Sequence, residues 1–242
     1  MTTNIAWIAN RPIAHRGLHD YSRPENSLAA IEAAIEADYA VEIDVRATLD
    51  LKAAVFHDAS LDRLCGMSLQ VSSVSSANLR NLTLFDTQEK IPMLEDVLAL
   101  VNGRVPIFVE IKNPAQPGML EEEVCRQLVS YRGPFAIQSF NPLTLGWFRT
   151  NYFSAPRGQI SYSYKDDFRP WWKTILLRNY VWNCISKPHF LSHDWRDLPS
   201  FASSLIRKKY RLPILAWTVR SKEEAAAASQ HADAIIFENF RP

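Results

Sequence analysis

Two carboxylates stand two residues apart inside an apolar run, "VEIDVRATLDLKAAVFHD", Val41 to Asp58. Alternate residues of a strand face one side, so Glu42 and Asp44 point one way while Val41, Ile43 and Val45 point the other. Burying a carboxylate is costly unless a cation or hydrogen bonds satisfy it. Two on one face also repel, and a hard divalent ion with oxygen ligands joins such a pair well. A structural salt bridge is the competing reading. A second stretch, "VPIFVEIK", sets Glu110 and Lys112 on one face with Val109 and Ile111 on the other. Glu110 could complete a three-carboxylate site, and Lys112 could hold an anionic ligand beside it.

Two histidines sit at the ends of apolar runs, His15 in "AHRG" and His57 in "FHD". If their strands are parallel neighbours of the Glu42 strand, both reach the same rim as the acids. Imidazoles flanking carboxylates suit a general acid and base, each worth ~10²–10⁴ in rate. A lone histidine serves packing or the surface more often. Arg16 adjoins His15, and its guanidinium matches phosphate oxygens in bidentate fashion. Gly17 permits a sharp turn and close backbone approach. A cation, two imidazoles, an arginine and a lysine together suggest a phosphate ester, whose transition-state oxygens they would stabilise.

Something must position these groups, and the rest of the chain reads as short strands alternating with helices. The strands are "PIAHRG", "AVEIDVRAT", "KAAVFHD", "VPIFVEIKN", "PFAIQSFN", "RGQIS", "PHFLSHD", "LPILAWTV" and "ADAIIFEN". Between them lie helical stretches: "NSLAAIEAAIEAD" with Asn26 or Ser27 as cap, "PMLEDVLALVNG", "MLEEEVCRQLVSY", "PLTLGWFRTNY" and "SKEEAAAASQ". This rhythm argues for parallel βαβ units. A closed eight-stranded barrel fits, with active-site groups at the C-terminal ends of its strands, and an open doubly wound sheet also fits. At 242 residues, with no repeat and no Gly/Ser linker, one domain is the simpler reading.

The net charge of +1 offers nothing global for nucleic acid or an anionic membrane. Cys65, Cys125 and Cys184 have neither disulfide-framework nor zinc spacing, which suits a reducing compartment. No secretory-type start and no membrane-spanning apolar run are seen, so a cytoplasmic location is expected. Ser161–Asp197 reads as an insertion, holding Trp171, Trp172, Trp182 and Trp195 of the chain's seven tryptophans. "PWWKTILLRNYVWNCIS" reads as an amphipathic helix or helical hairpin. It could pack on the body, cover the site, meet another subunit, or touch lipid-like substrates or a membrane surface.

"AHRG", "RPENSLAAIEAAIEA", "VEIDVRATLD", "FHD", "IPMLEDVLAL", "VEIK", "AWTV" and "ADAIIFENFRP", in this order from Pro12 to Pro242, resemble the glycerophosphodiester phosphodiesterase family. The resemblance implies a TIM-type (β/α)8 barrel that hydrolyses glycerophosphodiesters to sn-glycerol 3-phosphate and an alcohol, in glycerophospholipid degradation. It implies that Glu42, Asp44 and Glu110 bind a divalent cation, magnesium or calcium. His15 and His57 would be the acid/base pair, Arg16 and Lys112 would hold the phosphate, and Glu25 would be accessory. Trp217 would line the pocket against glycerol carbons. The substrate's free glycerol hydroxyl would attack phosphorus, and water would then open the cyclic phosphate.

Three places depart from the family pattern. Leu51 follows Asp50 where glycine is common, which changes a hairpin turn and not the chemistry; the last strand ends Phe237-Glu238-Asn239 rather than Thr-Asp; and the tryptophan-rich segment lies where the family varies. His189, His193 and Asp194 take no role from the resemblance. Lysophospholipase D activity is a close alternative. A catalytically silent barrel that binds phosphorylated ligands or a protein is an alternative of another class.

Overall fold

The computed structural model describes residues 5–113, 116–164 and 170–242. The chain divides into two compact units: Ala14–Ala136, and Met1–Ile13 with Ile137–Pro242. A two-residue strand β1, Ile13–Ala14, lies at the boundary. It is far shorter than the strand expected over "PIAHRG", because the chain turns at once through Arg16 and Gly17, both at positive φ. Gly17 is required on two counts. Its φ is +79°, and a Cβ there would lie 2.7 Å from the Ala30 carbonyl carbon.

In the first unit, helix α1 (Leu28–Glu36) begins where Ser27 Oγ accepts the Ala30 N–H at 3.1 Å. Its apolar face buries Ile31 and Ile35. Strand β2 (Ala40–Ala47) continues into a hairpin with β3 (Ala53–Val55), antiparallel with Val45 opposite Val55. His57 therefore does not come from a parallel neighbour of the Glu42 strand, the condition on which its place at the rim was expected. A five-residue connection is too short for a parallel crossover, so the chain can only fold straight back. Leu51 takes φ +60° at the hairpin turn, so the left-handed residue is needed although glycine is missing.

Short helices α2 (Asp62–Cys65) and α3 (Ser76–Leu79) then surround a cluster of Phe56, Leu61, Leu64, Leu79 and Leu84. Helix α4 (Leu94–Val101) starts with Asp96 accepting the Met93 N–H at 2.8 Å. Strand β4 (Ile107–Ile111) runs parallel to β2 with Asp44 opposite Glu110, and helix α5 (Met119–Ser130) follows.

Strand β5 (Phe135–Ser139) crosses into the second unit. There, α6 (Pro142–Asn151), β6 (Arg157–Ser161), α7 (Trp171–Arg178), α8 (Asn183–Ser186), β7 (Phe190–Asp194), α9 (Phe201–Tyr210), β8 (Ile214–Val219), α10 (Lys222–Ala228) and β9 (Ala234–Phe237) follow. Each neighbouring pair from β5 to β9 is parallel. Helix α9 carries no clear helical period in the sequence, because its serines and basic residues dilute the apolar positions. The helical stretch expected within Ser161–Asp197 corresponds to α7 and α8, and positions 165–169 lie outside the described residues.

Hydrogen bonding orders the strands β1-β9-β8-β7-β6-β5-β4-β2-β3, and β1 also pairs with β2. Eight parallel strands thus close into a barrel, with β3 appended to β2 as the antiparallel strand. The open-sheet alternative is excluded.

Candidate active site

The period of two on β2 and β4 does what the sequence pattern required. Val41, Ile43, Val45, Val109 and Ile111 are buried on one face, and Glu42, Asp44 and Glu110 are buried on the other. Parallel register places Asp44 beside Glu110 and Glu42 two residues earlier, so the three carboxylates converge. Each offers an oxygen within 4.8 Å of the others, a set that could hold a metal ion.

Cations and amides support the carboxylates unequally. Lys112 Nζ lies 3.1 Å from Asp44 Oδ1 and 2.5 Å from Glu110 Oε1. Arg16 Nε lies 3.3 Å from Asp44 Oδ2, and Asn26 clasps Asp44 from both sides. Its Nδ2 donates to Asp44 Oδ2 at 3.0 Å, and its Oδ1 accepts the Asp44 N–H at 3.2 Å. Burial opposes ionisation of Asp44, but Lys112 and Arg16 outweigh it and hold the carboxyl well below its usual range. Burial likewise opposes the Lys112 charge, and Asp44 and Glu110 outweigh it, so the ammonium persists.

Glu42 is treated differently. Its Oε2 accepts the Arg16 N–H at 3.2 Å and faces His15 Nε2 at 3.9 Å. Its Oε1 is buried and accepts no hydrogen bond among the described residues. Burial, then the neighbouring Asp44 and Glu110, push the Glu42 carboxyl well above its ordinary pKa, and burial also raises Glu110. A buried acceptor without a partner, in a set of three carboxylates beside two cations, is the arrangement that a hard divalent ion completes. The residues present fit such an ion.

His57 reaches this group through the hairpin. β3 returns alongside β2, and the Phe56 N–H donates to the Asp44 carbonyl at 2.9 Å. The next residue is therefore delivered to the carboxylates. Its Nδ1 lies 2.6 Å from Asp58 Oδ1, and its carbonyl accepts Arg46 Nε at 2.7 Å. Burial lowers the His57 pKa, chiefly against the pull of Asp44, so the ring favours the neutral form.

Glu25 takes Arg16 Nη1 at 2.7 Å and both Arg63 amino groups, at 2.7 and 2.8 Å. Arg63 Nε in turn donates to Asp58 Oδ2 at 2.7 Å. One arginine thus ties the Arg16 partner to the His57 partner. Asn26, Arg46, Asp58 and Arg63 were not among the expected site residues. Asn26 and Asp58 are sequence neighbours of Glu25 and His57, which was the available clue. Nothing local marks Arg63, whose partner Glu25 lies 38 residues away.

The remaining candidates lie in the second unit. Trp217 on β8 meets Phe140 edge-on at 5.6 Å and Tyr162 at 6.3 Å between ring centroids. Its indole N–H has no hydrogen-bond partner among the described residues. Glu238, at the divergent end of β9, accepts Arg220 Nε at 2.8 Å. His189 Nδ1 accepts the Arg157 N–H, His193 Nδ1 pairs with Tyr180 Oη at 2.7 Å, and Asp194 binds Arg196. All three engage neighbours within the second unit.

Residues 15–240 match the model of the Glycerophosphoryl diester phosphodiesterase family. The chain is 34% identical over 115 residues to a Mycobacterium tuberculosis protein named as a probable glycerophosphodiester phosphodiesterase 2, covering 47% of this chain and 43% of that one. Against bovine (Bos taurus) glycerophosphodiester phosphodiesterase 1 the identity is 25% over 249 residues, 90% of this chain and 74% of the other. The chain thus spans under half the length of the first relative. An Oleispira antarctica phosphodiesterase, solved with the product sn-glycerol-3-phosphate, has the same fold at TM-score 0.77. Its identity is 21%, over 94% of this chain and 92% of that one.

Proposed function

Since the chain belongs to the glycerophosphoryl diester phosphodiesterase family, we propose that it is a metal-dependent hydrolase releasing sn-glycerol 3-phosphate and an alcohol from glycerophosphodiesters. The observation that carries this reading is the convergence of Glu42, Asp44 and Glu110 within 4.8 Å, with a buried acceptor left open on Glu42. These three residues would hold magnesium or calcium. When bound, such an ion would offset the carboxylate charge and withdraw electrons from the phosphoryl oxygens.

The chain's own groups divide the rest of the work. Asp58 accepts the Nδ1 proton of His57, which leaves the Nε2 lone pair to take a proton from the attacking glycerol hydroxyl. The hydroxyl oxygen forms a bond to phosphorus as the ester bond to the departing alcohol breaks. His15 gives that alkoxide its proton. In the second half, water bonds to phosphorus as the ring P–O bond breaks, His15 taking the water's proton and His57 returning its proton to the glycerol oxygen.

Arg16 and Lys112 orient the phosphate and stabilise its developing charge. Glu25 keeps Arg16 in place. Trp217 offers an apolar wall for the glycerol carbons. Three unpaired cysteines suit a role in the cytoplasm, with glycerophospholipid breakdown as the source of substrate.

The test is release of sn-glycerol 3-phosphate from glycerophosphocholine and glycerophosphoethanolamine with magnesium, calcium, manganese or a chelator. Turnover with a metal and none with chelator is expected. No turnover with any of the metals would reject hydrolysis and leave a silent ligand-binding barrel. Running the acylated counterpart in parallel reports whether a lysophospholipid is also cleaved.

A further inference from the structure

The reaction chemistry makes no use of the segment between β6 and β7. Helix α7 buries none of its residues. Trp171 is 74% exposed, Trp172 46% and Ile175 49%, and Val181 just beyond the helix is 51% exposed. Trp171 and Ile175 are four apart and share one helical face, with Trp172 at its edge. Large apolar side chains grouped this way on a surface helix cost free energy in water and mark a contact.

Charge decides what kind of contact. The segment between β6 and β7, residues 162–189, contains Lys165, Arg169, Lys173, Arg178 and Lys187 against Asp166 and Asp167, an excess of basic residues in a chain whose net charge is only +1. Lys173 Nζ lies over the Trp172 ring, 5.4 Å from its centroid, so the cation travels with the aromatic. The crossover after β7 repeats the composition. Residues 198–213 carry Lys208, Lys209 and Arg211, with Arg207 paired to Asp233, and α9 exposes Phe201 and Leu205.

Tryptophan with basic residues is the chemistry of a water–lipid boundary, where the indole sits at the headgroups and the cations meet anionic lipid. An eight-residue helix is about 12 Å long, too short to cross a bilayer, and among the described residues no helix is long and apolar enough to do so. It can only lie on the surface.

We infer that α7 docks the protein onto anionic membrane surfaces by inserting Trp171, Trp172 and Ile175 between headgroups while Lys173 and Arg178 pair with lipid phosphates. A protein partner with an acidic groove and a second copy of this chain are the competing occupants. The inference is independent of the hydrolysis reading, because the test below needs no turnover.

The experiment sediments the full chain with phosphatidylcholine vesicles and with vesicles containing roughly one-third phosphatidylglycerol. At least about tenfold more protein should pellet with the anionic vesicles, and added salt should weaken the association. The double variant Trp171→Ser, Trp172→Ser should lose most of that binding. Its melting temperature should be unchanged, because both rings are exposed, and so should any hydrolysis of soluble glycerophosphocholine. Brominated lipid should quench tryptophan emission in the parent and much less in the variant.

Equal sedimentation with neutral and anionic vesicles, or undiminished binding by the variant, overturns the inference. A lipid-free dimer that the double substitution dissociates assigns the face to a second copy and overturns it as well.

Discussion

Replacing Glu42 by Gln separates what the carboxylate costs from what it holds. Without metal, Glu42 is buried, its Oε1 accepts nothing, and Asp44 and Glu110 repel its charge. Its folded-state pKa is raised, so its stabilising share is present at low pH and is lost as pH rises through the folded value. Glutamine keeps the acceptor for the Arg16 N–H and removes the charge. An unsatisfied buried acceptor costs about 1–3 kcal/mol, and more when charged, so the metal-free variant should be at least as stable as the parent near neutrality. In degrees, a gain of 1 kcal/mol is about 2–4 °C for a chain of this size.

With metal the order reverses. An ion at a hundred times its dissociation constant stabilises the native state by about 2.7 kcal/mol, or roughly 5–10 °C. The variant, with one ligand weakened, should gain little. The assay is thermal unfolding of both proteins from pH 5 to 9, with chelator and with saturating magnesium or calcium. The advantage of the metal-free variant should grow with pH. A chelated variant that melts several degrees below the parent, or one that responds to metal as strongly as the parent, would refute the reasoning.

Other perturbations have equally definite outcomes. His57→Ala should lower kcat by ~10²–10⁴ while leaving the metal-induced rise in melting temperature intact, since it removes a proton carrier and no ligand. Asp58→Asn should lower kcat with little change in KM, because the His57 tautomer is no longer enforced; unchanged kcat would separate the pair. Gly17→Ala should cost at least about 2 kcal/mol, seen in urea unfolding, since the new Cβ meets the Ala30 backbone at positive φ. Burial lowers the His193 pKa to about 4, so its contribution is present above the ordinary value and is lost as pH falls from about 6.5 through 4. That interval corresponds to about 3 kcal/mol, and His193→Gln should flatten the acid side of the stability curve by up to one proton's slope.

The chemistry of β2 and β4 was legible because a strand has a period of two: "VEIDV" and "VEIK" state which residues share a face before any partner is known. The alternation of strands and helices likewise announced parallel units, and chain order alone placed Glu42, Asp44, Glu110 and Lys112 on faces that could converge. The Ser27 cap and the required left-handed turn at Gly17 are equally local, and both are written in neighbouring residues. Periodicity names a face but no partner. It could not tell that β3 folds back antiparallel to bring His57 beside Asp44, that Asn26 clasps the Asp44 carboxylate and backbone together, or that Arg63 joins Glu25 to Asp58 across 38 residues. Nor could it separate a closed barrel from an open sheet, which differ only in whether β1 also pairs with β2. Those outcomes rest on contacts between distant segments, and their energies exist only once the strands have assembled and water has left the space between them.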